Sequence, residues 1–179
     1  ATTTYTVSVT DGLGCIALDS MVVAVNPLPV VNAGADAAIC AGANANLGGT
    51  PTGPSSSTYQ WSPGAGLNNS TAANPIAQPA GTTTYTVLVT DGNQCSASDS
   101  VTVTVNPLPV INAGQDTSVC LGSSVGLNAI GTGGFSWSPS TGLSATDIAD
   151  PIATPTATTT YTVTLTDANN CENTDDVVV

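Results

Sequence analysis

The chain has 179 residues, of which 12 are Asp or Glu, and it contains no Lys, Arg or His. The net charge of −12 and the lack of cations exclude nucleic-acid binding as a main function, because such binding neutralises phosphates with basic side chains. The same lack removes any basic face for an anionic membrane, and no apolar run approaches the roughly 20 residues of a spanning helix. We therefore expect no nucleic-acid partner and no membrane insertion of this segment.

An internal repeat organises the sequence. The string TTTYTV occurs at residues 2–7, 82–87 and 158–163, and the offset between copies is 80 residues and then 76. A period of this length suits one small sandwich per copy, and we expect the sequence to be a window on a longer array. The predicted parts are the C-terminal end of a truncated repeat (1–26), a complete repeat (30–105), a nearly complete repeat (110–179) and linkers at 26–29 and 106–109.

Apolar and polar residues alternate within each copy, as in 85–89 and 101–105. Alternation carried by β-branched and aromatic residues is typical of half-buried strands. Asp91-Gly92 lies between two such runs and predicts a hairpin. The sequence therefore predicts an all-β fold, with tandem β-sandwich domains of about seven short strands each.

Each linker reads Asn-Pro-Leu-Pro. Proline-rich joints stay extended and semi-rigid, so a rise of roughly 40 Å per copy and a stiff fibre are expected. Flexible beads on a string are the alternative that the sequence leaves open.

Five cysteines recur with the repeat, because Cys15, Cys95 and Cys171 are equivalent, as are Cys40 and Cys120. We predict intradomain disulfides Cys40–Cys95 and Cys120–Cys171, with Cys15 paired to an upstream repeat. A covalent staple of this kind would compensate for a small core, and it implies an oxidising compartment. The alternative is a bridge across each linker, Cys15–Cys40 and Cys95–Cys120.

Side chains for catalysis are scarce. A Ser or Cys nucleophile needs a base such as His or Lys, and neither occurs, so we expect no enzyme. Calcium is the one cofactor that the sequence suggests, since carboxylates flank the linkers and hairpins and Ca²⁺ prefers oxygen ligands. The candidate calcium ligands are Asp36, Asp91, Asp116 and Asp167. The alternative is that these residues are solvated turn caps.

Two overlapping Asn-x-Ser/Thr sequons start at Asn68 and Asn69. The third copy lacks them, so they are not part of the repeat.

A set of short motifs gives the chain a family resemblance. The motifs are Pro-Leu-Pro-Val, Asn-Ala-Gly-x-Asp-x-x-x-Cys-x-Gly, Trp-Ser-Pro-x-x-Gly-Leu and Thr-Thr-Thr-Tyr-Thr-Val. Together they resemble the PKD-like, immunoglobulin-like tandem repeats of giant Bacteroidota cell-surface adhesins, such as SprB-type gliding-motility adhesins, which are type IX secretion cargo. The resemblance covers essentially the whole chain.

The resemblance implies an extracellular, surface-anchored stalk or filament for adhesion or gliding. Its partners would be neighbouring repeats, other copies in a filament, and a surface polysaccharide or other cell-surface ligand. It also implies O-glycosylation at Asp-Ser followed by an apolar residue, which places sugar on Ser20 and Ser100. The alternative function is a spacer or carbohydrate-binding accessory module of a secreted hydrolase.

Overall fold

The structure, a computed structural model, describes residues 2–179, and every regular element in that range is a β-strand. The prediction of an all-β fold is confirmed. The strands are β1 (Thr3–Thr10), β2 (Ile16–Val23), β3 (Ala37–Cys40), β4 (Ala45–Asn46), β5 (Thr58–Ser62), β6 (Ile76–Ala77), β7 (Thr83–Thr90), β8 (Ser96–Asn106), β9 (Val125–Gly126), β10 (Gly134–Ser138), β11 (Ile152–Ala153), β12 (Thr160–Thr166) and β13 (Glu172–Val178).

Each of the two longer copies forms a β-sandwich from two sheets. In the complete copy the sheets have the strand orders β3-β8-β7-β5 and β4-β6, and in the third copy they are β10-β12-β13 and β9-β11. Strand β3 runs parallel to β8, whereas β5 and β7 pair antiparallel. The sequence predicts about seven strands per copy, but these copies contain six and five. In the third copy residues 117–120, the equivalents of β3, form no strand, although the Thr117 amide still donates to the Val178 carbonyl.

The described chain divides into two compact units. The first comprises residues 2–36, 46–77 and 84–102, and the second comprises 37–45, 78–83 and 103–179. No described segment is a helix long and apolar enough to cross a membrane. The predicted repeat boundaries remain a prediction.

The core of the first unit confirms the alternation in β7. Tyr85, Val87 and Val89 are fully buried, whereas Leu88 between them is exposed. The core as a whole consists of Ala33, Leu47, Trp61, Ala77, Tyr85, Val87, Val89 and Val101. Burial raises the pKa of the Tyr85 hydroxyl, so stability that depends on its neutral form is present below about pH 10 and lost as pH rises through the raised pKa.

The core of the second unit repeats this arrangement around Trp137 and Tyr161. The main cluster of buried residues in this unit is Ala113, Leu127, Ala129, Trp137, Ala153, Tyr161, Val163, Val177 and Val179. Polar atoms of the aromatic side chains have equivalent partners in the two copies. The Trp61 and Trp137 indoles donate to the Ala72 and Ile148 carbonyls at 2.9 Å, and the Tyr85 and Tyr161 hydroxyls donate to the Ala65 and Thr141 carbonyls at 3.0 Å. Buried aromatic groups with a polar end need such partners.

The β1–β2 hairpin carries the same motif in a different environment. Its strands pair antiparallel from Thr3↔Val23 to Thr10↔Ile16. Tyr5 and Val7 are 60% and 58% exposed, although they are the repeat equivalents of the fully buried Tyr85 and Val87. One sequence motif therefore occurs in this chain both with and without a covering core.

This pair of environments predicts a difference in mutational cost. Val87→Ala should lower the free energy of unfolding by about 2 kcal/mol, because it removes buried methyl groups and leaves a cavity. The matched control, Val7→Ala, should change it by less than about 0.5 kcal/mol, because Val7 is mostly exposed. Urea denaturation followed by tryptophan fluorescence measures both values. Equal costs for the two substitutions would contradict this description of the core.

Candidate functional site

The cysteines form the most distinctive chemical group in the structure. Among residues 2–179 one disulfide is present, between Cys40 and Cys171, with the two Cα atoms 5.5 Å apart and a sequence separation of 131 residues. Cys15, Cys95 and Cys120 are free thiols. The bond lies within the second compact unit, and it joins residues from two successive sequence copies.

The predicted Cys40–Cys95 disulfide is wrong because strand β8 separates the two residues. Cys40 pairs in register with Asn106 at the C-terminal end of β8, and Cys95 directly precedes the first residue of that strand. An eleven-residue strand spans about 35 Å, whereas a disulfide requires Cα atoms within about 7 Å. The two cysteines of this copy therefore cannot meet.

The predicted Cys120–Cys171 disulfide is wrong for the same reason. The Thr117 amide donates to the Val178 carbonyl at 2.9 Å, which places the segment leading to Cys120 beside the C-terminal end of β13. Cys171 directly precedes the first residue of β13, a seven-residue strand of about 23 Å. The alternative pairs across the linkers, Cys15–Cys40 and Cys95–Cys120, are not formed either. The pairing of Cys15 with an upstream repeat stays a prediction.

Three of the cysteines share one local geometry, and we call Cys15, Cys95 and Cys171 the hairpin cysteines. Each follows an Asp whose carboxylate Oδ1 accepts a hydrogen bond of 2.9 Å from the cysteine amide. The same Asp donates its own amide to the cysteine carbonyl, at 2.9 to 3.0 Å. This turn, which has positive φ at the residue before the cysteine, fixes the hairpin in all three copies; the Asp residues are Asp11, Asp91 and Asp167.

The other two, Cys40 and Cys120, share a second geometry, and we call them the turn cysteines. The Cys40 and Cys120 carbonyls each accept a hydrogen bond of 2.9 Å from the amide three residues on. The intervening Gly42 and Gly122 have φ values of 86° and 85°. The disulfide in the structure therefore joins one turn cysteine to one hairpin cysteine.

The four predicted calcium ligands have backbone partners. Asp36 and Asp116 accept hydrogen bonds from the Thr102 and Val178 amides at 2.8 and 2.9 Å. Asp91 and Asp167 cap the hairpins described above. No group of three or more His, Cys, Asp or Glu side chains comes together among residues 2–179. Calcium binding stays a prediction.

One further carboxylate in each sandwich makes a long-range contact. Asp99 Oδ2 accepts a hydrogen bond of 2.8 Å from the Ala33 amide, and Asp175 Oδ2 accepts one of 2.8 Å from the Ala113 amide. Both contacts link residues more than 60 positions apart, so they connect the last strand of each copy to its entry segment. The recurrence of the two Asp residues in the repeat signals a scaffold role, but the sequence does not reveal their partners.

The predicted modification sites lie on or near the surface. Ser20 and Ser100 are exposed residues of β2 and β8. The sequon side chains are engaged locally, since Asn68 Oδ1 accepts from the Ile76 amide and Asn69 Oδ1 accepts from the Thr71 amide and hydroxyl. Glycosylation stays a prediction at each position.

Both tryptophans are buried. Trp61 is 1% exposed and Trp137 is 3% exposed. The aromatic platform that would support a carbohydrate-binding module is therefore not supplied by these two residues.

No protein-family model and no curated protein matches the sequence. Three solved structures with a detectable similarity are immunoglobulin domains 1–4 of sidekick-1, the insect immune protein hemolin and the human desmocollin-1 ectodomain. Sidekick-1 is 13% identical with a TM-score of 0.40, and the match covers 84% of this chain and 48% of that one. Hemolin is 15% identical with a TM-score of 0.41, covering 98% and 55%. Desmocollin-1 is 12% identical with a TM-score of 0.35, covering 92% and 39%.

The chain thus spans about half or less of the length of these three structures. The description of the fold rests on the strands, sheets and cores given above. These define a protein of tandem β-sandwich repeats whose one disulfide joins successive copies.

The Asp99 contact predicts a measurable contribution to stability. Asp99→Ala should lower the free energy of unfolding by about 1–2 kcal/mol, because the Ala33 amide loses a charged acceptor. The matched control is Asp19→Ala at the equivalent position, where the carboxylate accepts only from the neighbouring Ser20 amide. We expect little change for that control in the same urea titration. A loss at Asp19 as large as that at Asp99 would contradict the assignment.

Proposed function

We propose that the chain is a structural repeat segment of a large extracellular surface adhesin or filament, in which it acts as a stalk for adhesion or gliding. The observation that carries the proposal is the Cys40–Cys171 disulfide, which connects successive copies covalently. Adhesion, gliding and type IX secretion come from the family resemblance of the motifs. The partners are neighbouring repeats, other copies in a filament, and a surface polysaccharide or other cell-surface ligand.

A disulfide in this position changes how the chain responds to tension. When a chain is pulled from its two ends, force passes through the Cys40–Cys171 bond and bypasses the 131-residue segment that it closes. Both sandwich cores lie largely within that segment. The disulfide therefore protects the cores from extension, which is a useful property in a stalk.

This mechanism differs from the one expected from the sequence. The sequence predicts that each disulfide staples its own sandwich, whereas the observed bond leaves each sandwich to its core and its carboxylate contacts. The bond instead adds a second covalent connection to the one that the linker provides.

Two further properties support an extracellular location and endurance there. Structural disulfides persist in oxidising compartments and are rare in reducing ones. The absence of Lys and Arg removes every cleavage site for trypsin-like proteases. The alternative, a carbohydrate-binding accessory module of a secreted hydrolase, has less support because both tryptophans are buried.

Single-molecule pulling from the two termini tests the mechanical part of the proposal. In the oxidised protein the closed segment cannot extend, and reduction of the disulfide should add about 450 Å of contour length, at about 3.4 Å for each of the 131 residues.

Two variants control this measurement. Cys40→Ser should show the full length without reductant, because it removes the bond. Cys95→Ser should keep the short length, because Cys95 is a free thiol in the structure. If the wild type and Cys40→Ser extended equally under oxidising conditions, the proposed mechanism would be refuted.

A further inference from the structure

The disulfide joins a turn cysteine to a hairpin cysteine, and the three free cysteines, which we call the open cysteines, belong to the same two classes. Cys120 is a turn cysteine equivalent to the bonded Cys40, and Cys15 and Cys95 are hairpin cysteines equivalent to the bonded Cys171. The hairpin hydrogen bonds around Cys15 and Cys95 match those around Cys171 to within about 0.1 Å, and the Cys120 carbonyl accepts a turn hydrogen bond of 2.9 Å, as the Cys40 carbonyl does. Each open thiol therefore lies in the same kind of turn or hairpin as a thiol that forms the disulfide.

We propose that these open cysteines are the two halves of a repeating covalent link between copies. Cys120 bonds to the hairpin cysteine of a following repeat, and Cys95 and Cys15 each bond to the turn cysteine of a preceding repeat. The partner is a further repeat of this same sequence type, and a second copy of this chain supplies it in the test below. The inference deepens the proposed stalk function and rests on it for its biological role, but its chemistry is tested separately.

The burial of the hairpin cysteines is consistent with a bonding partner that would cover Cys15 and Cys95. Cys171 is fully buried in its bonded state, whereas Cys95 is only partly buried and Cys15 is exposed. Among the three hairpin cysteines, the bonded Cys171 is therefore the only one that is fully buried.

The surface around Cys120 is open and partly apolar. Cys120 is exposed at an open cavity of about 210 Å³, lined in part by Val119, Leu121, Pro155 and Val179. Leu121 is 82% exposed. The equivalent neighbourhood of Cys40 is the one that receives the hairpin of Cys171, so the occupant proposed for Cys120 is a hairpin of the same sequence type.

Bond formation requires an oxidant, and the proposal names a small-molecule or protein disulfide. The Cys120 thiolate attacks that disulfide, forms a mixed disulfide and releases one thiolate. The hairpin thiolate of the partner then attacks the Cys120 sulfur and releases the second thiolate. In total, two protein thiols lose two electrons and two protons, and one disulfide is reduced to two thiols.

The proposed link gives a short covalent path through an array. In the present structure the path runs from Cys15 along β2, through the 26–29 linker and β3 to Cys40, and through the disulfide into β13. The open cysteines Cys95 and Cys120 bound an equivalent segment, with β8 and the 106–109 linker between them. Because strands and proline-rich linkers are already extended, such segments have little length to release under tension.

Two variants of the full chain test the pairing rule. The turn variant, Cys15→Ser with Cys95→Ser, keeps only Cys120 open, and the hairpin variant, Cys120→Ser, keeps only Cys15 and Cys95. Both retain Cys40 and Cys171, and a tag on the turn variant distinguishes the products by size. The variants are incubated alone and mixed in a glutathione redox buffer, and the products are separated by non-reducing electrophoresis.

We expect the mixture to form a turn–hairpin dimer at least about tenfold in excess of either homodimer, because the scaffolds are complementary and not self-complementary. The same mixture in urea should lose this preference and give pairing close to statistical. Homodimers as abundant as the mixed dimer under native conditions, or no mixed dimer at all, would overturn the proposal. If each variant retains the Cys40–Cys171 bond, misfolding is excluded as the cause of the observed pairing. Neither outcome alters the pulling experiment on the single chain, so failure here and failure of the proposed function are distinguishable.

Discussion

The length of the last strand in each copy is the constraint on which the rest of the structure depends. A hairpin cysteine precedes that strand, and a turn cysteine lies beside its far end, so the strand holds the two sulfurs of one copy tens of ångströms apart. A disulfide reaches only a few ångströms, and no rearrangement of side chains removes that difference. The sulfurs of a copy must therefore bond outside that copy or remain free, and the structure shows both situations.

Each sandwich consequently depends on its own noncovalent contacts. A buried Trp and a buried Tyr on neighbouring strands dominate each core, and both donate to backbone carbonyls at equivalent positions. The Asp99 and Asp175 carboxylates connect the last strand to the entry segment, which is the role that a staple would otherwise have. Small domains have little apolar surface to bury, so these charged hydrogen bonds matter more here than in a larger domain.

Much of the fold could be predicted from local pattern, but the partners in long-range contacts could not. Alternation identified the buried face of β7 correctly, and the repeat identified which cysteines are equivalent. Cysteine connectivity does not follow from sequence alone, and here it depends on the parallel register of β3 with the end of β8. The partner of Asp99 depends on the same three-dimensional arrangement. The exposed Tyr5 and the buried Tyr85 lie at the same position in two copies of one motif. Burial therefore depends on the surrounding chain and not on the motif.

Disulfide mapping of the non-reduced protein tests the central claim most directly. A protease that cleaves before aspartate places the five cysteines on separate peptides, because an Asp precedes each one and another Asp follows before the next cysteine. After free thiols are alkylated, we expect peptide 36–90 to be linked to peptide 167–174, with the other three cysteines alkylated. A link between peptides 36–90 and 91–98 would show that Cys40 bonds to Cys95 across the length of β8, and it would contradict the account.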